Sequence, residues 1–442
     1  MTRLICIIFA TLAFSSTALA TDRYIRSGAT GTLATTGCDT LEATRACPNP
    51  PATLTRGDSY IYTDGTGYAA QTVTTATSGT ILITFKKCSS ADSGVTGYVS
   101  TLCDGQAEIN GNFSLGTDYI KIDGVYRNES NWSDGPAYGF KATTVVASTD
   151  LFPVICASNV TVRYTNLGGA EGTTYTGSEP TEAIYNAGFN AHCVLWTIER
   201  NYMHNVRLSS MIQLAGAESY IIQYNHFRNG FGKESIRGQN TSKNMIVRWN
   251  QFYDACGSGG GDVCTAEIAM WSDNGRGAGS FDANKIYGNW FYRTRDQNTG
   301  GTIVVGGDGV SWVGVPASNT LIYNNTFAGF TTGGNQIGRI LVNGGTGNEC
   351  RNNYWWDTTI TTVTCNTATN NVVAGANPFV NYSAADLHLS AATVAGFTLS
   401  SPYNVDMDNN VRGADGTMDV GAFEFLVQGG GAIATLSSSA LT

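Results

Sequence analysis

Residues 220–230 read YIIQYNHFRNG and residues 245–255 read MIVRWNQFYDA. In both stretches aliphatic side chains alternate with other residues up to an Asn, and a Phe follows two positions later. A similar pattern recurs in VTVRYTNLGG (160–169), LWTIERNYMHN (195–205), NKIYGNWFYRT (284–294), TLIYNNTFAGF (320–330) and NECRNNYWWDT (348–358). Alternation with a period of two over five to seven residues is typical of a β-strand. The pattern therefore predicts a chain built from repeated short strands.

The repeat length favours a solenoid. The aligned residues are Asn166, Asn201, Asn225, Asn250, Asn289, Asn325 and Asn353, at spacings of 35, 24, 25, 39, 36 and 28. A basic period of 24–25 residues is too short for a helical pair or a propeller blade, and it fits one turn of a parallel β-solenoid. Asn tolerates the left-handed backbone of a bend, and stacked Asn amides can hydrogen-bond to one another. We therefore predict an Asn ladder along the stacked bends.

A second strand is predicted after each bend, in TEAIYNAG (181–188), SSMIQLAG (209–216), KESIRGQN (233–240), TAEIAMWS (265–272), GTIVVGGD (301–308) and GRILVNGG (338–345). An Ile recurs in these segments at positions 184, 212, 236, 268, 303 and 340. Because side chains alternate between the two faces of a strand, we expect these Ile residues to form one inward column. The residues one and three positions away from each Ile then point outward.

The chain divides into five predicted parts. They are a signal peptide at 1–20, an N-terminal cap with irregular first coils at 21–150, regular coils at 151–374, C-terminal coils with a closing strand at 375–426, and a flexible tail at 427–442. A solenoid needs caps because its end coils otherwise expose unpaired strand edges. An elongated fold of this kind can hold all 442 residues in one domain.

The first 20 residues, MTRLICIIFATLAFSSTALA, resemble a secretory signal peptide. Arg3 provides a positive start, Leu4 to Phe14 form an apolar run, and Ala18-Leu19-Ala20 is a small-residue cleavage site. We expect cleavage after Ala20 and a secreted or periplasmic protein. No later segment is apolar for long enough to span a membrane.

Ten Cys remain after the signal peptide, an even number that suggests disulfide bonds in an exported chain. Pairing of sequence neighbours gives Cys38–Cys47, Cys88–Cys103, Cys156–Cys193, Cys256–Cys264 and Cys350–Cys365. This pairing is a hypothesis from loop length, since ten Cys allow many connectivities. Metal binding by these Cys is disfavoured because the chain has no CxxC motif.

The composition excludes several classes of protein. Charged residues make up 13% and aromatic residues 11% of the chain, which argues against disorder. A formal net charge of −9 disfavours a surface that binds phosphate backbones, so no nucleic-acid partner is expected. We expect a monomer.

Three stretches carry a family resemblance. They are the coil segments YNHF, WNQF, GNWF and NNTF, the closing stretch DMDNNVRGADGTMDVGAFEF (406–425), and RGDSYIYTDGTGY (56–68). Together they resemble right-handed parallel β-helix proteins of the pectin-lyase-like superfamily. The resemblance implies an all-β, single-stranded parallel β-helix with an N-terminal cap. It does not specify an activity, because this superfamily holds lyases, glycosidases, epimerases and adhesins. The Gly-His-Gly and Asn-Thr-Asp motifs of polygalacturonases and the Trp-x-Asp-His motif of pectate lyases are absent from the sequence.

The Ile register predicts which polar residues face outward, where a polymer could cross several coils. They are Tyr185, Gln213, Lys233, Ser235, Arg237, Gln239, Glu267, Trp271, Arg339 and Asn343. The densest run lies on one strand, from Lys233 to Gln239. A solvated face with an Arg237–Glu267 salt bridge is one interpretation of this cluster, and a functional site is the other.

The functional interpretation is β-elimination on a uronic-acid polysaccharide. A cation must neutralise the substrate carboxylate before a base can remove the C5 proton. We predict Lys233 as that base, with its pKa lowered by neighbouring Arg237, and we predict that Arg237 binds the carboxylate. Glu267 would anchor Arg237 or contribute an oxygen ligand to Ca²⁺, the one cofactor we expect. The predicted substrate-binding residues are Tyr185, Gln213, Gln239, Trp271, Arg339 and Asn343.

This set is similar to the β-helix alginate and dermatan lyases, which use a Lys base and an Arg with a Ca²⁺ neutraliser. Those enzymes place Lys and Arg on neighbouring coils, whereas here they share one strand. The predicted function is therefore a secreted carbohydrate-active protein, a polysaccharide lyase. Two alternatives stay open: a non-enzymatic glycan-binding or structural β-solenoid, and a glycoside hydrolase, which needs two outward carboxylates.

Overall fold

The computed structural model describes residues 20–143, 150–154, 157–186, 193–207, 209–257, 264–272, 279–294, 302–307, 315–330, 338–358 and 361–426. Residues 1–19 of the predicted signal peptide and the predicted tail at 427–442 lie outside this part. The described helices are one α-helix at Leu33–Thr36 and 3-10 helices at Ser90–Asp92, Ser100–Leu102, Gly135–Ala137 and Tyr382–Ala384. None of these helices is long and apolar enough to cross a membrane.

Every regular coil contributes one strand to each of three parallel faces, here named A, B and C. In the described residues, face A has 12 strands: Asp22–Ile25, Ser59–Tyr62, Ile83–Lys87, Ile120–Asp123, Val160–Arg163, Trp196–Glu199, Ile221–Gln223, Ile246–Arg248, Lys285–Tyr287, Leu321–Tyr323, Glu349–Arg351 and Thr367–Thr369. Each pairs in parallel with the strand one coil later, as Ile198 does with Ile222. Stacking therefore begins at residue 22, inside the segment predicted to be a cap.

Face B follows face A in each coil, and face C follows face B. The face B strands are Phe140–Thr143, Thr165–Gly168, Tyr202–His204, His226–Arg228, Gln251–Tyr253, Trp290–Tyr292, Thr326–Phe330, Tyr354–Thr358 and Val372–Val373. The face C strands are Phe152–Val154, Ile184–Asn186, Ser210–Glu218, Glu234–Lys243, Ala266–Trp271, Ile303–Val305, Ile340–Val342 and Val363–Thr364.

Five further strands complete the parallel stack. Gly65–Val73 and Ala107–Leu115 pair with each other, and the second of them pairs with the first strands of both face B and face C. Cys193–Val194, Ser280–Asp282 and Ala317–Ser318 extend the stack beyond face C. This architecture is the right-handed parallel β-helix predicted from the sequence.

The predicted Asn ladder is present. The Asn201 amide donates to Oδ1 of Asn225 at 3.0 Å, and the same bond repeats at 2.8–3.0 Å through Asn250, Asn289, Asn325, Asn353 and Asn371. Asn166 was wrongly placed in this ladder. Thr165 is the residue that donates to Asn201 Oδ1, and Asn166 pairs in register with Tyr202 on face B.

The left-handed residue at each bend is not the ladder Asn but the residue before it. Arg200, Tyr224 and Trp249 have φ values of 57°, 54° and 55°. The ladder Asn is therefore selected by its hydrogen bonds to the next coil rather than by its tolerance of positive φ. Because the ladder Asn does not occupy the position with positive φ, large side chains such as those of Arg200, Tyr224 and Trp249 are found there.

Inward columns of side chains on all three faces fill the core. The Ile residues predicted at 184, 212, 236, 268, 303 and 340 pair in register along face C and are fully buried. Along face B the inward column is aromatic, with Phe227, Phe252, Phe291, Phe327 and Trp355 stacked at centroid distances of 4.6–5.0 Å. These columns fix which residues of faces B and C point outward.

Four disulfide bonds match predicted pairs: Cys38–Cys47, Cys88–Cys103, Cys256–Cys264 and Cys350–Cys365. Cys193 is also disulfide-bonded, but its predicted partner Cys156 lies outside the described residues. Disulfide bonds are typical of proteins from oxidising compartments, which supports a secreted protein.

The C-terminal segment folds back along the outside of the coils. It contains an antiparallel pair, Phe379–Asn381 with Asp386–Leu389. Tyr382 packs on Tyr292 of face B, and Tyr403 packs edge-on against Tyr287 and Tyr323 of face A. The backbone N–H of Ala422 donates to Oγ1 of Thr326 at 2.7 Å. This segment therefore covers outward faces of the later coils as well as following the last of them.

Candidate functional site

The outward surface of face C brings most of the predicted site residues together. Strand register places Tyr185, Gln213 and Arg237 side by side on three consecutive coils. Gln239 pairs with Trp271 two positions further along the strands. The amide of Gln213 donates to Oε1 of Gln239 at 3.2 Å, which links the two columns.

Arg237 is the charged centre of this surface. Its guanidinium lies 4.3 Å from the centroid of the Trp271 ring, a cation–π contact. It also donates to Oγ of Ser209 at 3.1 Å and approaches Oε1 of Gln213 at 3.5 Å. Among the described residues, no carboxylate forms an ion pair with Arg237. A half-buried guanidinium that is held in place by neutral groups keeps its charge available for an external anion.

The surface is less open than the sequence predicted. Gln213, Gln239 and Trp271 are 7%, 2% and 6% exposed, although they point away from the core. Tyr185, Lys233 and Arg237 are half-buried. The prediction of an outward surface open to a polymer was therefore wrong for these three residues. Trp271 and Gln213 contact Arg237, Gln239 contacts Gln213, and the half-buried residues form the accessible part.

Glu267 was also wrongly predicted to face solvent and contact Arg237. Its carboxylate is 1% exposed, accepts a hydrogen bond from Ser235 at 2.5 Å, and pairs with Arg293 at 3.0 Å. Register explains the difference, because Arg237 lies beside Ala269 and leans onto Trp271. Burial raises the pKa of Glu267, and the Arg293 charge opposes that shift.

The surroundings of Glu267 do not fit a calcium ligand. Its two oxygens are engaged by Ser235 and Arg293, and one side-chain nitrogen of Arg293 lies 3.3 Å from Sγ of Cys264. Ligand atoms of Cys256, Cys264 and Glu267 lie within 4.8 Å of one another, but the two sulfurs form a disulfide bond. Ca²⁺ takes oxygen ligands and would compete here with a bound cation.

Sequence reasoning missed an acidic column at the start of face C. Glu182 and Glu234 lie two residues before the inward Ile184 and Ile236, and Asp150 lies two residues before Phe152, which pairs with Ile184. The repeated two-residue offset was the available signal. Glu182 and Glu234 fall on the inward parity or at a bend, so the sequence predicted no part for them in an outward site.

The environments of these acids differ from those of surface carboxylates. Burial, followed by hydrogen bonding to Asp150, raises the pKa of Glu182 to about 9, so Glu182 is protonated at neutral pH. Glu234 accepts hydrogen bonds from Ser210 at 3.0 Å and from Thr265 at 2.7 Å, and burial raises its pKa. Arg237 is near enough to both glutamates for its charge to lower their pKa values against these effects.

Lys233 precedes the face C strand that carries Arg237. Its carbonyl oxygen accepts hydrogen bonds from the backbone N–H and hydroxyl of Thr265, at 2.8 and 3.1 Å. Four residues of extended strand separate the two Cα atoms by about 13 Å. The two cations can therefore meet one substrate only through their long side chains.

Arg339 and Asn343 are not part of this cluster. The face C strand at Ile340–Val342 lies three strands after that of Arg237, or about 14 Å along the stack. Ala269, Val304 and Leu341 form a buried apolar strip on the outward surface between them. The amide of Asn343 donates to the Gly306 carbonyl at 3.2 Å, as expected of a bend residue.

The fold and this surface define a parallel β-helix protein. One of its faces carries a candidate site in which the cation Arg237 packs on the aromatic ring of Trp271. A search of solved structures finds similarity to the Streptococcus pneumoniae surface protein and adhesin PfbA, with a TM-score of 0.36 and 10% sequence identity over 80% of this chain and 90% of that chain. No family model matches the sequence. No curated protein matches it either. Membership of the pectin-lyase-like superfamily stays a prediction.

Proposed function

We propose that this protein is an exported carbohydrate-active β-helix protein, a polysaccharide lyase that cleaves uronic-acid glycans by β-elimination at face C. The observation that carries the proposal is the placement of Arg237. Its guanidinium is fixed on the Trp271 ring and on Ser209, has no carboxylate partner among the described residues, and lies on an outward surface that crosses several coils. A polymer carrying one carboxylate per sugar fits such a surface.

Charge neutralisation is the first task of the proposed reaction. Arg237 binds the uronate carboxylate, so the carbanion that develops at C5 spreads into a neutralised group. Glu182 lies near Arg237 but is buried and hydrogen-bonded to Asp150, so Arg237 is the neutraliser that the proposal uses.

Proton removal is assigned to Lys233, and leaving-group protonation to a water held by Arg237. Lys233 is half-buried at the entrance of the same strand. Lys233 takes the C5 proton as the C5–H electron pair forms the C4–C5 double bond. The C4–O bond breaks, the leaving oxygen takes a proton from the water, and the resulting hydroxide takes the proton from Lys233. Tyr185 and Gln213 extend the contact surface to the preceding coils.

Incubation with a panel of uronic-acid polysaccharides tests the proposal, with product detected by the ultraviolet absorbance of the unsaturated uronate. We expect activity in the wild type, loss of at least about a hundredfold in Arg237→Met, which removes a charge-assisted bond, and a similar loss in Lys233→Ala. The matched control is Lys243→Ala, at the other end of the same strand. Activity that survives Lys233→Ala removes Lys233 from the mechanism, and activity that survives Arg237→Met rejects the site.

We also propose that the reaction uses Ca²⁺, and the same experiment tests this. Product formation with and without chelator shows whether the reaction depends on Ca²⁺. Glu267 does not support a calcium site, so Glu267→Gln should leave any chelator sensitivity unchanged.

A glycoside hydrolase is the second candidate, but the acid pair Glu182 and Asp150 does not have the spacing of its two carboxyl groups. Such enzymes use one protonated and one ionised carboxyl group, and Glu182 is held in its acid form beside Asp150. Hydrogen-bond contact between them is closer than the roughly 5–9.5 Å that hydrolases use. New reducing ends without unsaturated product would identify a hydrolase. Binding without any product would identify the non-enzymatic alternative.

A further inference from the structure

Face B presents a second outward surface that the proposed reaction does not use. Its outward residues form two columns: Tyr202, His226, Gln251 and Trp290 in one, and His204, Arg228, Tyr253 and Tyr292 in the other. This surface lies on a different side of the coil from Arg237. Aromatic, amide and imidazole side chains therefore alternate over four consecutive coils.

Other parts of the chain cover both ends of this surface, and its middle is more accessible. At one end Tyr138 stacks on Tyr202 at 6.1 Å. At the other end the C-terminal segment packs against Tyr292 through Tyr382, with ring centroids 5.3 Å apart. Gln251, Arg228 and Tyr253 lie between these covers and are half-buried.

His226 forms the floor between the covers with one nitrogen unused. Its Nδ1 lies 2.9 Å from Oε1 of Gln251, an acceptor, so Nδ1 carries the proton. Nε2 then offers a lone pair, and it is a buried atom with no hydrogen-bond partner among the described residues. The side chain is 5% exposed, so leaving this acceptor unmatched is costly.

His204, one coil earlier, has a polar atom of the protein beside each of its ring nitrogens, unlike His226. Its Nε2 lies 2.7 Å from Oδ1 of Asn166, and its Nδ1 lies 3.0 Å from Oδ1 of Asn205. Because both of these oxygens are acceptors, the neutral imidazole donates to only one of them.

Arg228 and Tyr253 complete the middle of the surface. The guanidinium of Arg228 lies 5.2 Å from the centroid of the Tyr253 ring. Its Nε is a buried donor without a partner among the described residues, where no carboxylate forms an ion pair with it. An unmatched acceptor and an unmatched donor thus lie on adjacent strands beside a half-buried aromatic ring.

We propose that His226, Arg228 and Tyr253 form a second saccharide-binding site, which takes a neutral sugar ring with adjacent hydroxyl groups. One hydroxyl donates to Nε2 of His226, and its neighbour accepts from Nε of Arg228. The apolar side of the ring packs on Tyr253, as aromatic side chains allow. A site on face B would hold a glycan chain away from face C, independently of what face C does.

We expect a neutral ligand because the imidazole of His226 is uncharged. Burial is the main cause that lowers the pKa of His226, to about 3, and the charges of Arg228 and Arg127 act in the same direction. The imidazole is therefore uncharged at neutral pH and accepts a hydrogen bond rather than attracting an anion. A hydroxyl group satisfies it, and a carboxylate does not.

Equilibrium titration with three neutral hexasaccharides (cellohexaose, xylohexaose and mannohexaose) and one oligogalacturonate tests this site on the full chain. We expect at least one neutral probe to bind the wild type and Arg237→Met equally. His226→Phe and Arg228→Met should each weaken that binding about tenfold, the value of one buried hydrogen bond. The matched control for the imidazole is His388→Phe, in the C-terminal segment.

Four results would overturn the proposal: no binding of any neutral probe, binding by His226→Phe and Arg228→Met that equals binding by the wild type, preference for the oligogalacturonate at this site, or loss of neutral binding in Arg237→Met. Thermal unfolding of each variant separates loss of the site from loss of the fold. If His226→Phe misfolds, Arg228→Met still tests the site. We expect this variant to fold, because Arg228 is half-buried and makes no side-chain hydrogen bond in the described part. Failure of the face C activity leaves this outcome unchanged.

Discussion

At the scale of single residues, neighbours matter more than residue type. Arg293 is neutralised by buried Glu267, whereas Arg237 is held by a Trp ring and a hydroxyl. The sequence showed both arginines but could not show which one takes the carboxylate. That outcome depends on the strand register, which places Ala269 beside Arg237 and Glu267 two residues earlier, beside Ser235.

Glu182 provides a prediction at this scale. Burial raises its folded-state pKa to about 9, while the unfolded value is near 4.5. The unfolded state therefore loses its proton first, so this contribution to stability is complete below about pH 4.5 and is lost as pH rises towards 9. Glu182→Gln, which stays neutral, should become increasingly more stable than the wild type across that interval.

Thermal unfolding of both proteins at several pH values measures this difference. The matched control is Glu218→Gln, a half-buried glutamate at the end of a face C strand. A difference between wild type and Glu182→Gln that does not change between pH 5 and 9 would contradict the assignment of a protonated Glu182.

At the scale of elements, the sequence predicted the stacked strands well and the bends only in part. Alternation with inward Ile184, Ile212 and Ile236 identified face C, because an inward column tolerates few residue types. Asn166 was misplaced by one position. A short sequence match does not show which residue at a bend bonds to the ladder Asn of the next coil, and that residue is Thr165. The burial of Gln239 and Trp271 was not predicted. The alternation of side chains along a strand shows which way a side chain points, but it does not show which other residues cover that side chain.

The Asn ladder gives a prediction for an element. Oδ1 of Asn250 accepts from the backbone and side-chain nitrogens of Asn225, and its own amide donates to the Ile222 carbonyl and to Asn289. Asn250→Ala would leave several buried polar groups unmatched, and each costs about 1–3 kcal/mol. We expect the free energy of unfolding to fall by about 3 kcal/mol or more.

Denaturant unfolding measures this loss, with Asn110→Ala on an exposed strand position as control, expected to change stability by less than about 0.5 kcal/mol. Equal effects of the two substitutions would show that the ladder amides do not stabilise the stack.

At the scale of the whole molecule, the closing stretch that carried the family resemblance is structural. Arg412 is buried, donates to the Ala422 carbonyl at 2.6 Å, and lies near Glu424 and Asp406. Glu424 in turn accepts from the backbone N–H groups of Gly413 and Asp419. The conspicuous charges of this motif therefore fold the C-terminal segment against faces A and B, and the motif says nothing about activity.

Arg412 gives the prediction for this scale. Removing one partner from a buried charge network typically costs about 3–5 kcal/mol. Arg412→Met should therefore loosen the C-terminal segment and lower thermal stability, and limited proteolysis should cut near residues 376–400 before the coils unfold. Arg56→Met, which changes a half-buried arginine near the N-terminal end, is the control. Resistance to proteolysis equal to that of the wild type would contradict this role.

The most direct test of the face C account is the dissociation constant of a hexameric oligouronate for the wild type and for Arg237→Met, measured beside a neutral hexasaccharide of the same length. The account predicts that Arg237→Met weakens oligouronate binding about ten- to a hundredfold, as expected for one charge-assisted hydrogen bond, and leaves neutral binding unchanged. Equal oligouronate affinity in the two proteins would contradict it.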